Sequence, residues 1–280
     1  MDDDLHPIAL CDLKFDEPVE LAHINYVKTI NTPLETIHDN IRVNCAMGLP
    51  ELQVPIPAHD RTLTICGSAP SLVQNTSHIV GDILACNRAI AVLEGMGRRV
   101  TYPMIWDASL EVVTHARMLP HATWLIASRV SPVLTKLLLS WGQAIRLWHA
   151  DGDGADLAFP HPVPMIEGGG QAVPRAVFIG YAMGYRTMRI LGADSSFLSQ
   201  ETHVEGSVRK EDEVLVRVGD GVYRTTFWMA NQADEWQHFI LPWCARHGVT
   251  LTVHGEGLLP DVHNLWMTRN GGDTRHDLGV

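Results

Sequence analysis

Between Leu63 and Val253 short apolar runs alternate with stretches of helical period, and this alternation constrains the fold more than any other feature. Apolar runs that lack polar alternation suit strands buried on both faces. Strands separated by helices suit an α/β fold, a mostly parallel sheet with helices on both faces. The expected strands are Leu63–Cys66, Asp82–Cys86, Val100–Trp106, Thr123–Ala127, Ala144–Trp148, Thr187–Leu191 and Val249–Val253. The expected helices are Pro70–Ile79, Arg88–Met96, Leu110–Arg117, Pro132–Ser140, one opening after Gln171, and Met229–Arg246, which Pro242 should bend or end. An earlier helix runs from Thr32 as N-cap, with Pro33 at N1, and is stopped by Gly48-Leu49-Pro50. Val214–Val218 and Val222–Thr226, joined by Gly219-Asp220-Gly221, read as a β-hairpin insertion near 214–226, placed to act as a lid or acceptor-side wall. The chain thus divides into an N-terminal arm and helix over 1–60, packed on a main domain over 61–260, and a polar C-terminal tail over 261–280.

In such sheets ligands bind beyond the carboxyl ends of the strands, near a reversal in strand order. The residues leaving each strand are therefore the informative ones. The first expected strand runs into Gly67-Ser68-Ala69-Pro70-Ser71, a turn of small residues opening a helix. Free backbone N–H groups and the helix dipole converge there, which suits a phosphate; a tight turn of any βα unit reads the same way. A second glycine-rich turn, Gly168-Gly169-Gly170, opens another helix. Asn87 follows the second strand, and Asp107 and Asp194 end two others, where they could equally cap the next helix. Asp151 and Asp153 form an Asp-x-Asp pair that can hold a metal, but Asp-Gly-Asp-Gly is foremost turn chemistry.

Composition narrows the functional classes. A net charge of −11 disfavours non-specific nucleic-acid binding and anionic membranes. A local basic pocket could still come from Arg98 and Arg99 or from Arg175, Arg186 and Arg189. No apolar run reaches the ~18–20 residues of a membrane span. Met1-Asp2-Asp3-Asp4 does not resemble a secretory signal, and five dispersed cysteines suit a reducing compartment, so a cytoplasmic location is expected. Cys66 and Cys86 read as buried small hydrophobes. Zinc spacing, a P-loop, a G-x-G-x-x-G and a G-x-S-x-G elbow are all missing from the sequence.

The order of motifs resembles a known family. Ile65-Cys66-Gly67-Ser68-Ala69-Pro70-Ser71-Leu72, Cys86-Asn87, Gly168-Gly169-Gly170, Gly184-Tyr185 and Leu191-Gly192-Ala193-Asp194 look like the MptE-like family. That family includes archaeal 6-hydroxymethylpterin diphosphokinase, with many bacterial and phage members. The framework also resembles the flagellin-glycosylating motility accessory factors and the bacterial sialyltransferases that use CMP-activated sugars. The resemblance covers about residues 35–260 and implies a Rossmann-like nucleotide-binding domain. It implies that Gly67, Ser68, Ala69 and Ser71 meet phosphate or ribose, that Asn87 hydrogen-bonds the nucleotide, and that Gly168, Gly169 and Gly170 approach it through their backbone. Ser68 stands where the sialyltransferases have Asn, and Gly169-Gly170 where they have Ser-Gly.

The resemblance further implies a transferase. Glycosyl transfer from a nucleotide-activated sugar would use a His base, and His203 is the His in the comparable region. Diphosphate transfer from ATP to a pterin-like alcohol would need Mg²⁺, with Asp107 and Asp194 as its candidate carboxylates. A non-catalytic nucleotide-binding module is the third reading. The expected partner is a small-molecule nucleotide donor; the acceptor and a homo-oligomer are left open.

Overall fold

The computed structural model describes residues 19–21, 32–152, 158–159, 163–197 and 213–271. In chain order the elements are β1 (Val19–Glu20), α1 (Leu34–Ala46), β2 (His59–Cys66), α2 (Ser71–Gln74), β3 (Asp82–Cys86), α3 (Ala89–Gly95), β4 (Tyr102–Ile105), β5 (Thr123–Ala127), α4 (Pro132–Ser140), β6 (Ala144–Ala150) and β7 (Met165–Ile166). There follow α5 (Ala172–Ala182), β8 (Tyr185–Leu191), β9 (Glu213–Val218), β10 (Gly221–Thr226), α6 (Phe227–Glu235), α7 (Leu241–Arg246), β11 (Thr250–His254) and α8 (Leu258–Arg269). Eight strands form one sheet in the order β11-β8-β2-β3-β4-β5-β6-β7, and every pairing in it is parallel. The expected α/β architecture is therefore present.

The pattern of burial explains why these segments are strands. In β2 the last four residues are buried, and in β3 and β5 every residue after the first is. Such runs satisfy their backbone groups only inside a ladder, and helices cover both faces. The chain steps from β2 outward to β7, then α5 returns it to β8 on the other side of β2. This reversal sets the switch point between β2 and β8. In α5 every residue from Val173 to Gly180 is buried, as expected of a helix lying on the sheet centre. A Cβ on Gly180 would crowd Leu63 and Met188, so glycine there lets α5 approach β2 and β8 closely.

Several expectations need correction. Pro33, not Thr32, is the N-cap of α1, which opens at Leu34 and ends at Ala46, just before the expected stop at Gly48-Leu49-Pro50. The helix expected over Pro70–Ile79 stops at Gln74; the Asn75 side chain donates to the Ser71 carbonyl, and a 3₁₀ turn follows. The segment Leu110–His115 is 3₁₀. The helix near the C-terminus starts at Phe227, where Thr226 Oγ1 accepts from Met229 N, and passes through a π-turn at Trp236–Ile240 before Pro242. That widened turn accommodates a ring that would clash with the carbonyl four residues earlier. Residues 258–269, read in part as a polar tail, form α8, with Val262 and His263 buried. The hairpin β9–β10 exists, and β9 also pairs in parallel with β1.

Among the described residues no helix is long and apolar enough to cross a membrane. Cys66, Cys86 and Cys244 are buried, and burial pushes the Cys66 thiol up to about 12, away from nucleophilic use.

Candidate functional site

At the switch point the ladder continues past the strands. Gly67 N donates to Leu191 O (2.8 Å) and Ala69 N to Gly192 O (3.0 Å). A Cβ on Gly67 would overlap the Gly192 carbonyl oxygen, and Gly192 has φ +65°. Both glycines are thus required by the close approach of two backbones.

Asp194 sits just beyond this crossing, with no exposed surface. Ser71 N donates to its Oδ2 (3.1 Å) and Ser71 Oγ to its Oδ1. Its carbonyl accepts from Leu259 N (3.1 Å), so the carboxylate and backbone of one residue tie the β2, β8 and β11 exits together. Gly255 and Gly257 have φ of +136° and +121° and pack against Ser71, Asp194 and Ser196, where a side chain would collide. Burial pushes the Asp194 carboxyl up to about 6; the Ser71 hydrogen bonds lower it and the Glu256 charge raises it. The Ser71 amide, expected to face a phosphate, is thus engaged by Asp194.

Asn87 leaves β3 with φ +50°, a conformation Asn tolerates better than most residues. Its N–H donates to Met104 O (3.0 Å), and its Oδ1 is buried with no hydrogen-bond partner. The start of α5 lies close by. Cys86 Sγ donates to Ala172 O (3.8 Å), and the Val173 side chain stands 3.0 Å from the place of a Cβ on Gly67. The first glycine turn, Asn87 and the start of α5 therefore meet at one edge of the sheet.

The second glycine turn has an occupant of its own. Gly170 N lies 3.2 and 3.1 Å from Glu235 Oε1 and Oε2, and a Cβ on Gly169 would collide with that carboxylate. Gln171 Nε2 donates to Trp228 O. Thus α6 caps the start of α5 with a negative charge, the sign that end favours.

The two strand-end aspartates do not come together. Asp107 follows β4 and Asp194 follows β8, three strand positions apart, or about 14 Å at ~4.8 Å per strand. Asp107 Oδ1 instead accepts from Ser109 N (2.9 Å) and so serves the turn. One ion cannot bridge the two carboxylates, and among the described residues no group of three or more His, Cys, Asp or Glu could hold a metal. Asp151 N donates to Ile166 O (3.0 Å), extending the parallel β6–β7 ladder by one residue. His203 and Asp153 lie outside the described residues.

The basic set Arg175, Arg186 and Arg189 also disperses. Arg186 stacks on Tyr181 (3.8 Å), Arg189 donates to His78 O, and Arg175 lies over Trp106. Sequence reasoning missed Asn40 and Asn44. Spaced i,i+4 on α1, both point at the exit of β5. Asn40 Nδ2 donates to Arg129 O (3.0 Å), and Asn44 Nδ2 to Ser128 O (2.8 Å) and Val130 O (2.7 Å). Two amides on one helix face next to Ile37 and Ile41 were the available signal.

Among solved structures, the fold is similar to the MAf glycosyltransferase from Magnetospirillum magneticum AMB-1, with a TM-score of 0.62 and 15% identity. The alignment covers 86% of this chain and 43% of that one, so this chain spans less than half of that enzyme's length. The likeness is one of fold, and at that level the expected similarity to motility accessory factors has a counterpart. No family model matches the chain, and no curated protein matches it.

Proposed function

We propose that this chain is a nucleotide-dependent group transferase that moves a glycosyl group from a nucleotide-activated sugar to an acceptor. Asn87 carries the reading. Its buried, unpartnered carboxamide oxygen lies beside the first glycine turn and the start of α5, near the β2/β8 switch point where a parallel sheet receives a ligand. The fold it shares with a glycosyltransferase agrees with this choice. In this reading Asn87 hydrogen-bonds the nucleotide, and Gly67, Ser68 and Ala69 line the crevice. Gly168, Gly169 and Gly170 approach the donor where Glu235 now caps the helix. Asp194 is a positioning residue that holds Ser71 and the three strand exits, and His203 is the base for the acceptor hydroxyl.

The test is release of free nucleotide from CMP-, UDP- and GDP-sugars without acceptor. Slow hydrolysis of one of them, lost in His203→Ala, is expected. AMP formation from ATP that requires Mg²⁺ and a pterin alcohol would replace this reading with diphosphate transfer. Nucleotide binding with no turnover of any donor would replace it with a binding module.

A further inference from the structure

Three imidazoles meet where β11 leaves the sheet. His254 is the last residue of β11. The His78 ring, from the 3₁₀ turn that follows α2, lies nearly parallel to it, with centroids 4.2 Å apart and planes 12° from parallel. His263, buried on α8, is close enough that a charge on His254 disfavours one on its own ring. His254 Nε2 and His263 Nδ1 are both buried without a hydrogen-bond partner. The turn that carries His78 has two further anchors, and both are cations. Arg98 Nη2 donates to Thr76 O (3.3 Å) and Arg189 Nη1 to His78 O (3.3 Å). The same segment begins at Ser71, which Asp194 holds at the switch point, and Gly255, next to His254, packs on Ser71. The stack thus fastens the far end of a segment whose near end lies in the candidate site.

Charge decides what this stack does in acid. Among the described residues, the charged or titratable groups around it are Arg98 and Arg189 on the turn, His263 from α8, and Asp194 and Glu256 beyond the ends of β8 and β11. Asp261, also on α8, accepts from Tyr223 Oη. Burial first, and then the His78 and Arg189 charges, hold the His254 imidazole below its usual range, so the ring is neutral at pH 7.5. A proton arriving at the pair meets two guanidinium groups, and a second proton meets the first across the stack. Asp194 loses its charge as pH falls through about 6, so the compensating negative charge shrinks while the positive charge grows. Neutral rings attract when stacked, whereas two cationic rings face to face repel. We propose that the His78–His254 stack is an acid-sensitive latch: with both rings neutral it pins the turn after α2 to the end of β11, and with both protonated it opens and frees residues 72–80. The latch governs the mobility of that segment whatever ligand the site takes, so it stands apart from the nucleotide reading.

Amide hydrogen exchange of the full chain at pH 7.5 and 4.5 tests this, each rate divided by that of an unstructured chain at the same pH. The reporters are amides of residues 72–80, such as His78 N, which donates to Asn75 O, and Val80 N, which donates to Thr64 Oγ1. Their protection should fall at least about fivefold at pH 4.5, the Boltzmann factor for two unit charges 4.2 Å apart in water. The buried strands β2 and β3 should keep theirs. His78 is exposed, so replacing it leaves the core untouched. His78→Phe, which stacks without charge, should keep the segment protected at both pH values. His78→Ala, with no ring to stack, should lower protection already at pH 7.5 and show little further fall. Undiminished protection of residues 72–80 in the wild type at pH 4.5 overturns the proposal. So does a fall that His78→Phe shares, or one spread evenly over the whole chain.

Discussion

Asp194→Asn isolates the electrostatic consequence of burying a carboxylate at the switch point. Burial first, and then the Glu256 charge, push this carboxyl from 3.8 up to about 6, against the opposing Ser71 hydrogen bonds. A native pKa above the unfolded one means that the folded state holds its proton more tightly. The contribution of Asp194 to stability is therefore fullest below pH 3.8 and is lost as pH rises through about 6. That interval corresponds to about 3 kcal/mol at 1.36 kcal/mol per pH decade. An asparagine has the same shape: its oxygen accepts the Ser71 N–H and its amide donates to Ser71 Oγ, and it does not titrate. Urea unfolding of wild type and variant at intervals from pH 3.5 to 7.5 gives a difference curve in which all other groups cancel. Stability of the variant relative to wild type should rise by about 3 kcal/mol across that range, most steeply between pH 4 and 6. Any constant offset from altered hydrogen bonding leaves the slope untouched. A flat difference curve would show that Asp194 titrates as an ordinary carboxylate, and would refute the account of its burial.

Three further outcomes follow from the same packing. His263 is 4% exposed and its pKa is pushed down to about 4, by burial first and by His254 second; its contribution is full above 6.5 and lost as pH falls through about 4. In the same assay His263→Gln should therefore gain on the wild type by up to about 3 kcal/mol as pH falls over that window. Gly67→Ala should cost about 1–3 kcal/mol, read as a lower melting temperature, because the new Cβ overlaps the Gly192 carbonyl. Asn44→Ala leaves the Ser128 and Val130 carbonyls without their buried donor and should cost about 2–3 kcal/mol in urea unfolding.

Strands were legible because burial on both faces leaves no polar alternation: Asp82–Cys86 and Thr123–Ala127 coincide with β3 and β5. Strand order was not, since nothing local in Thr187–Leu191 says that it returns beside β2. Helix ends failed where a side chain intervenes, as Asn75 does at the end of α2; the C-terminal helix ends at Arg246 as expected, and its interruption falls just before Pro242. The tail was misjudged because α8 buries Val262 and His263 beneath an otherwise polar surface, and buried histidine carries no apolar signal. In the site, Gly67, Asn87 and Asp194 could be named as strand exits. The Gly67–Gly192 crossing, the Glu235 cap on Gly170 and the His78–His254 stack could not. Each joins residues far apart in sequence whose local surroundings are ordinary.

The central claim is that a nucleotide engages Asn87. Its most direct test is thermal unfolding of wild type and Asn87→Gly with CMP, UDP, GDP and ATP, each with and without Mg²⁺. Glycine accepts the φ of +50° and deletes only the carboxamide, so the fold is kept while the contact is lost. At least one nucleotide should raise the melting temperature of the wild type, and the variant should lose most of that rise while melting normally alone. A folded wild type that no nucleotide stabilises, or a variant that responds as the wild type does, would contradict the account.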